Sequence, residues 1–292
     1  MTQAPEVTGF YEKRSGSVQY VVADPATGAC AIIDPVLDFD EKSGATATIE
    51  ADRLLDFIAE RGYRLDWILD THPHADHFSA ADYLRDRTGA PIAIGDRIGR
   101  VQALWRDFYN WPDFPTDGRQ WDRLFADGET FQLGTIPARV MLSPGHTLAS
   151  VTYVIGDAAF VHDTLFMPDS GTARADFPGG SARDLWRSIQ AILALPDATR
   201  LFTGHDYRPG GRPEAWESTV AQQRDENSHL TAWPTEAAFI AAREARDQTL
   251  PMPRLILQAL QINTNAGRLP EPEANGRRYL KIPLNLLQAP WE

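Results

Sequence analysis

Thr71-His72-Pro73-His74-Ala75-Asp76-His77 decides how this chain is read. His72, His74, Asp76 and His77 place four metal-competent side chains within six residues. Imidazole nitrogen and carboxylate oxygen are ligands for zinc, iron or manganese, and the lack of thiols excludes a sulfur-rich site. The stretch follows Trp67-Ile68-Leu69, an apolar run that reads as a short buried strand, with Asp70 opening a polar loop. On a loop just past a strand, neighbouring side chains can converge without the limits of helical geometry.

Three positions farther along share that setting. His146 lies in Ser143-Pro144-Gly145-His146-Thr147, directly after a strand. Asp163 follows the apolar run Ala158 to Val161, with His162 between. His205 lies in Thr203-Gly204-His205-Asp206-Tyr207, again after a strand. Any one of them alone reads as a capping or loop residue. Together, at successive strand-to-loop junctions, they read as a ligand set.

The surrounding pattern supplies the fold. Val18 to Ala23 and Ala29 to Asp34 flank a turn and read as a hairpin. Apolar spacing predicts a helix through Ile49, Leu54 and Ile58, stopped by Gly62, and a second one capped by Ser79 and stopped by Gly89. Ile92 to Ile94 reads as a strand, Ile98 to Phe108 as a helix and Asn110 to Gln120 as a loop. Five short strands are predicted between Leu124 and His162, then a helix over Ala182 to Leu195 and a strand over Leu201 to Thr203. Helices are predicted over Ala215 to Glu226, Thr235 to Arg246 and Arg254 to Gln261, before a Pro-, Asn- and Arg-rich tail. Strands mixed with helices early, and a strand-rich middle, favour two sheets covered by helices. The expected organisation is a catalytic domain over residues 1–210 and an extension, 211–292, packed upon it.

Composition narrows the function. The chain has 292 residues and a net charge of −12, which argues against nucleic acid or an anionic membrane as the main partner. No apolar run reaches the ~18 residues of a membrane span. One cysteine, Cys30, excludes an internal disulfide and points to a reducing compartment. Cys30 lies in an apolar strand and reads as a buried small residue. Met1 to Phe10 lacks the pattern of a secretory signal, so a soluble cytoplasmic enzyme is expected. His229 reads as a surface residue.

Thr71 to His77, Gly145-His146-Thr147, Asp163 and Gly204-His205 match in order and spacing the metallo-β-lactamase fold superfamily, which the chain resembles over about residues 15 to 210. The resemblance implies an αββα sandwich with a metal site at one edge of the two sheets. Within the superfamily, Gly171 to Phe177 and His205-Asp206-Tyr207 are similar to the persulfide dioxygenases. The tail, with Ala266 to Pro270 and Tyr279 to Pro283, resembles the longer bacterial branch called β-lactamase hydrolase-like. That branch is associated with a cysteine where this chain has Ala175, so accessory thiol chemistry there would be absent while the metal chemistry would not.

The resemblance implies one Fe(II) held by His72, His146 and Asp163, with glutathione persulfide and O2 as substrates, sulfite and glutathione as products, and a homodimer by analogy. His74, Asp76, His77 and His205 would then support the iron through hydrogen bonds. In a dinuclear zinc arrangement, the alternative, His72, His74 and His146 would hold one metal, Asp76, His77 and His205 the other, with Asp163 bridging. That arrangement would suit a glyoxalase II-like thioester hydrolase. His205, Asp206 and Tyr207 are the candidate catalytic residues, Tyr207 through its hydroxyl. Two carboxylates on glutathione call for guanidinium or ammonium donors, and Arg174, Arg139 and Lys281 are the candidates.

Overall fold

The structure, a computed structural model, describes residues 4–287; the first three positions of the Met1 to Phe10 segment lie outside the described residues. One sheet holds, in spatial order, β1 (Glu6–Tyr11), β2 (Val18–Ala23), β3 (Ala29–Ile33), β6 (Arg64–Leu69), β8 (Ile92–Gly95) and β9 (Arg123–Phe125). The other runs β10 (Thr130–Leu133), β11 (Ile136–Leu142), β12 (Val151–Ile155), β13 (Ala158–His162), β14 (Arg200–Thr203) and β15 (Glu217–Thr219). A small third sheet orders β5 (Ala45–Ala47), β4 (Val36–Asp40) and β7 (Phe78–Ser79).

Period-two alternation builds the layers. From β2, Val18, Tyr20 and Val22 face the second sheet and meet Phe160 and Phe202. Val21 and Ala23 face the other way, into a cluster with Leu54 and Ile58 of α1 (Ile49–Arg61), Leu84 of α2 (Ala81–Thr88) and Trp105 of α3 (Ile98–Tyr109). On β13 the same rule sends Ala158 and Phe160 between the sheets, and Ala159 and Val161 outward. There they meet Leu185, Ile189 and Ile192 of α4 (Ala182–Leu193), each worth about 1.5–3 kcal/mol when fully buried. Four layers result, helix on sheet on sheet on helix, the αββα sandwich that was expected.

The C-terminal part packs on both outer layers. Val220 of α5 (Val220–Glu226), Leu230 of α6 (Ser228–Ala232) and Phe239 of α7 (Glu236–Asp247) join the α4 cluster, while Ala259 and Leu260 of α8 (Ile256–Asn263) join the α1–α3 side. Two local expectations change. The helix expected from Ala215 begins only at Val220, because Thr219 and Gln222 form a reciprocal cap there and Glu217 to Thr219 pair with β14. Ser79 lies one residue before the cap of α2, and its hydroxyl donates to Asp70 Oδ1 while accepting from the Ala81 amide. Among the described residues, no helix is long and apolar enough to cross a membrane.

Candidate metal centre

β11 and β13 are both antiparallel to β12, and β13 is parallel to β14, so β11, β13 and β14 end on the same edge. His146, Asp163 and His205 follow those ends. The end of β6 delivers Asp70 to His77 to the same place. Cross-sheet bonds pin this edge: Tyr153 Oη donates to Asp70 O at 3.0 Å, the Val151 amide to Thr71 O at 3.0 Å, and the Val18 amide to Gly204 O at 2.8 Å.

His72, His146 and Asp163 each offer one ligand atom, and the three atoms lie within 4.8 Å of one another. All three residues are buried. Both tautomers follow from the hydrogen bonds. His146 Nδ1 is 2.9 Å from Arg174 O, which can only accept, so Nδ1 carries the proton and the Nε2 lone pair is free. Thr71 Oγ1 gives its proton to Asp34 at 2.7 Å and accepts from His72 Nδ1 at 3.0 Å, which frees His72 Nε2. That Nε2 is buried with no hydrogen-bond partner among the described residues.

A second group, His74, Asp76 and His77, meets the same distance test. His77 Nδ1 faces Asp76 Oδ2 at 3.0 Å, and its buried Nε2 has no hydrogen-bond partner among the described residues. Ser17 Oγ reaches Asp76, His77 and His205 from 2.9 to 3.1 Å. His74 Nε2 lies 3.0 Å from Asp34 Oδ1, an ion-pair distance outside hydrogen-bond geometry. Burial disfavours charge on His74, but Asp34 outweighs it and lifts the imidazole to about 9. His205 sits between two carboxylates, with Nδ1 2.6 Å from Asp163 Oδ1 and Nε2 2.8 Å from Asp76 Oδ2. Burial works against its charge too, yet those carboxylates raise its pKa well above the ordinary range. Burial likewise opposes charge on Asp163, and His205 nevertheless brings it to about 2.

Asp76, His146, Asp163 and His205 line a cavity of about 460 Å³. Tyr207 lines it with 60% exposure, its ring stacked on His205 at 5.7 Å. Asp206 does not line it. Its buried carboxylate takes two bonds from Arg212 at 2.7 Å each and one from the Ala215 amide, so it anchors the loop after His205. Arg174 lines the cavity, but Asp176, Pro251 O and Leu250 O take four bonds from its five N–H groups. Arg139 projects to the exterior from β11, facing Met141. Lys281 lines a different cavity, beside Trp111 and Tyr279, and donates to Asn110 O. The structure therefore brings only Arg174 of these three to the metal edge. Cys30 is fully buried, and burial pushes its thiol up to about 12.

Several residues of the site were not anticipated. Asp34 directly follows β3 at the same edge and engages Thr71 and His74; its place after a strand was the signal. His229, read as a surface residue, lines the cavity and accepts from the Thr172 amide at 2.9 Å. Arg14 and Arg246 also line the cavity, and neither makes an ion pair among the described residues. Asn263 of α8 donates to His74 O and His77 O, both at 2.7 Å, and so holds the histidine loop from behind. Sequence periodicity carries no sign of these long-range contacts.

Partnerless buried imidazole nitrogens are costly unless something binds them. Oriented Nε2 lone pairs converging with a carboxylate fit a divalent metal ion, and nitrogen and oxygen donors suit iron or zinc.

Comparison with known proteins agrees. Residues 13–205 match the family model of the Metallo-beta-lactamase superfamily. A Beta-lactamase hydrolase-like protein of Xylella fastidiosa (strain Temecula1) is 68% identical over 99% of the chain, which spans 67% of that relative's length. Glyoxylase B2 of Dictyostelium discoideum is 44% identical over 99% of the chain and 100% of its own length. Among solved structures, ETHE1 from Myxococcus xanthus superposes with a TM-score of 0.72 at 28% identity, covering 90% of this chain and 100% of that one. Sandwich, order of the candidate ligands and family match coincide: the chain belongs to the metallo-β-lactamase superfamily.

Proposed function

We propose that the chain is a persulfide dioxygenase, holding one iron(II) on His72, His146 and Asp163 and oxidising glutathione persulfide with O2 to sulfite and glutathione. The observation that carries this reading is the buried cluster of two imidazoles and one carboxylate with both imidazole tautomers already set. Such a set leaves coordination positions open and is the ligand pattern of non-haem iron oxygenases. Iron(II) there supplies the redox chemistry between O2 and sulfur. The 28% identical ETHE1 structure supports the reading.

The chain's own residues take the remaining roles. His205 holds Asp163 Oδ1 and so turns the other carboxylate oxygen toward His146, 3.6 Å away. Tyr207, at the mouth, can donate its hydroxyl to bound substrate. A cavity of about 460 Å³ suits a small thiol ligand. Arg14 and Arg246 give its wall the positive charge that a ligand with carboxylates needs in an acidic protein. The 211–292 extension completes this wall through residues between His229 and Leu255.

A second reading is a dinuclear, zinc-dependent hydrolase of a glutathione thioester, where the metals supply a water nucleophile. The His74–Asp76–His77 group and the relative named Glyoxylase B2 favour it. Elemental analysis of anaerobically purified protein, paired with thioester and persulfide assays, separates the two. About one iron per chain and O2 uptake with glutathione persulfide are expected. Two zincs without iron, with thioester cleavage and no O2 uptake, would overturn the proposal.

A further inference from the structure

We infer that the C-terminal extension sets the metal affinity of the centre through a buried clamp, Arg243 and Asp247, that positions His146 by way of the Thr172–Ala175 segment. The inference rests on His146 as a metal ligand and is independent of which reaction the metal serves.

Arg243 and Asp247 lie one turn apart on α7, and both side chains are 2% exposed. Arg243 Nε and Nη2 donate to Asp247 Oδ1 at 2.9 and 2.5 Å. Each also reaches the loop. Arg243 Nη1 donates to Thr172 O at 3.2 Å, and Asp247 Oδ2 accepts from the Ala175 amide at 2.8 Å. His229 adds a third anchor by accepting from the Thr172 amide. Between these fixed points lies the Arg174 carbonyl, the acceptor for His146 Nδ1.

The segment's side chains reinforce the same ring. Phe177 packs against His146 with centroids 4.7 Å apart, and Arg174 lies over Phe177 at 5.1 Å while donating to Pro251 O. His146 is thereby held on its Nδ1 side by residues whose own positions depend on α7 and the turn after it. A carbonyl free to rotate away would release both the tautomer and the ring orientation.

Stability alone is a weak account of the clamp. A buried ion pair is often no better than two well-packed apolar residues of similar volume. What apolar residues cannot provide is an acceptor for the Ala175 amide and a donor for the Thr172 carbonyl. Arg243 and Asp247 are thus positioning residues that act through Arg174 on His146.

The test is the double variant R243M/D247L, which keeps the volume and removes both loop contacts. Cobalt(II) titration of the metal-stripped protein, followed by visible absorption, reads affinity and ligand geometry without any turnover. The expected result is a folded protein with cobalt affinity weakened ~10–100-fold, the usual effect of losing support behind a metal-bound histidine, and an altered spectrum. Affinity and spectrum equal to the parent's would overturn the inference. If the double variant does not fold, Asp247→Asn and Asp247→Ala decide. Asparagine keeps an oxygen for the Ala175 amide, so its affinity should stay within about threefold, while alanine should lose ~10-fold or more. Parent-like affinity in both would again overturn the inference. Asp24→Asn, a destabilising change at the far edge, should lower Tm and leave cobalt affinity untouched; weakened affinity there would mean that any loss of stability moves the metal, and the clamp would lose its special role. Undiminished cobalt affinity in His146→Ala would instead remove the ligand assignment itself.

Discussion

Asp24, which follows β2 at the end away from the histidine cluster, ties the two sheets together, and its loss should cost about 2 kcal/mol. The residue is 1% exposed. Oδ1 accepts from the Ala26 amide at 2.9 Å. Oδ2 accepts from Thr27 Oγ1 at 2.8 Å, and from the amide and hydroxyl of Thr135 at 2.7 and 2.8 Å. Thr135 belongs to the turn between β10 and β11, so these bonds cross from one sheet to the other. Burial alone would raise the pKa, but the amides and hydroxyls outweigh it and bring it from 3.8 to about 2. At about 1.4 kcal/mol per tenfold change, that fall corresponds to about 2 kcal/mol of stability. A lowered folded-state pKa gives stability that is full above the unfolded value of 3.8 and is lost as pH falls toward 2. Urea unfolding at pH 7 should therefore show Asp24→Asn about 2 kcal/mol less stable than the parent, with the gap closing between about pH 4 and pH 2. A gap that persists unchanged at pH 2, or none at pH 7, would show that the ionised carboxylate does not tie the sheets together.

Other expectations concern the metal edge. His72→Ala, His146→Ala and Asp163→Ala should each abolish iron binding, while His77→Ala should keep most of the iron and turn over more slowly; equal metal loss from all four would indicate a dinuclear site. Gly145→Ala would place a Cβ 2.2 Å from the Leu185 backbone nitrogen at a φ of +133°, so circular dichroism melts and metal analysis should show a destabilised protein with depleted metal. Tyr153→Phe removes a buried bond to Asp70 O and should cost about 1 kcal/mol in urea unfolding; an unchanged midpoint would mean that this bond does not hold the sheets.

Which parts of the molecule were legible follows from how local their causes are. Residues 18–23 and 29–33 announce themselves as strands because both faces are covered, one by the opposite sheet and one by helices. β1 does not, since it is half exposed and carries Gly9, where a Cβ would strike Trp216 at 2.5 Å. β15 is three polar residues, Glu217 to Thr219, whose pairing with β14 decides their form. The candidate ligands were legible because each follows a strand end, and strand ends on one edge converge. Arg246 and Arg14 were not, because an arginine at the wall of a cavity looks locally like any solvated arginine. Lys281 lies on a tail whose path across Asn110 and Gln261 is set by long-range contacts, so its distance from the metal edge had no local sign.

Stepwise reconstitution distinguishes one redox metal on His72, His146 and Asp163 from a two-metal site. Metal-stripped protein is titrated anaerobically with iron(II), then assayed for O2 uptake and sulfite release with glutathione persulfide. With a single iron site, activity should rise to a plateau at about one iron per chain, with one sulfite formed per O2 consumed and no such activity from zinc. Activity that climbs to two metals per chain, or appears with zinc and without O2 uptake, would contradict it.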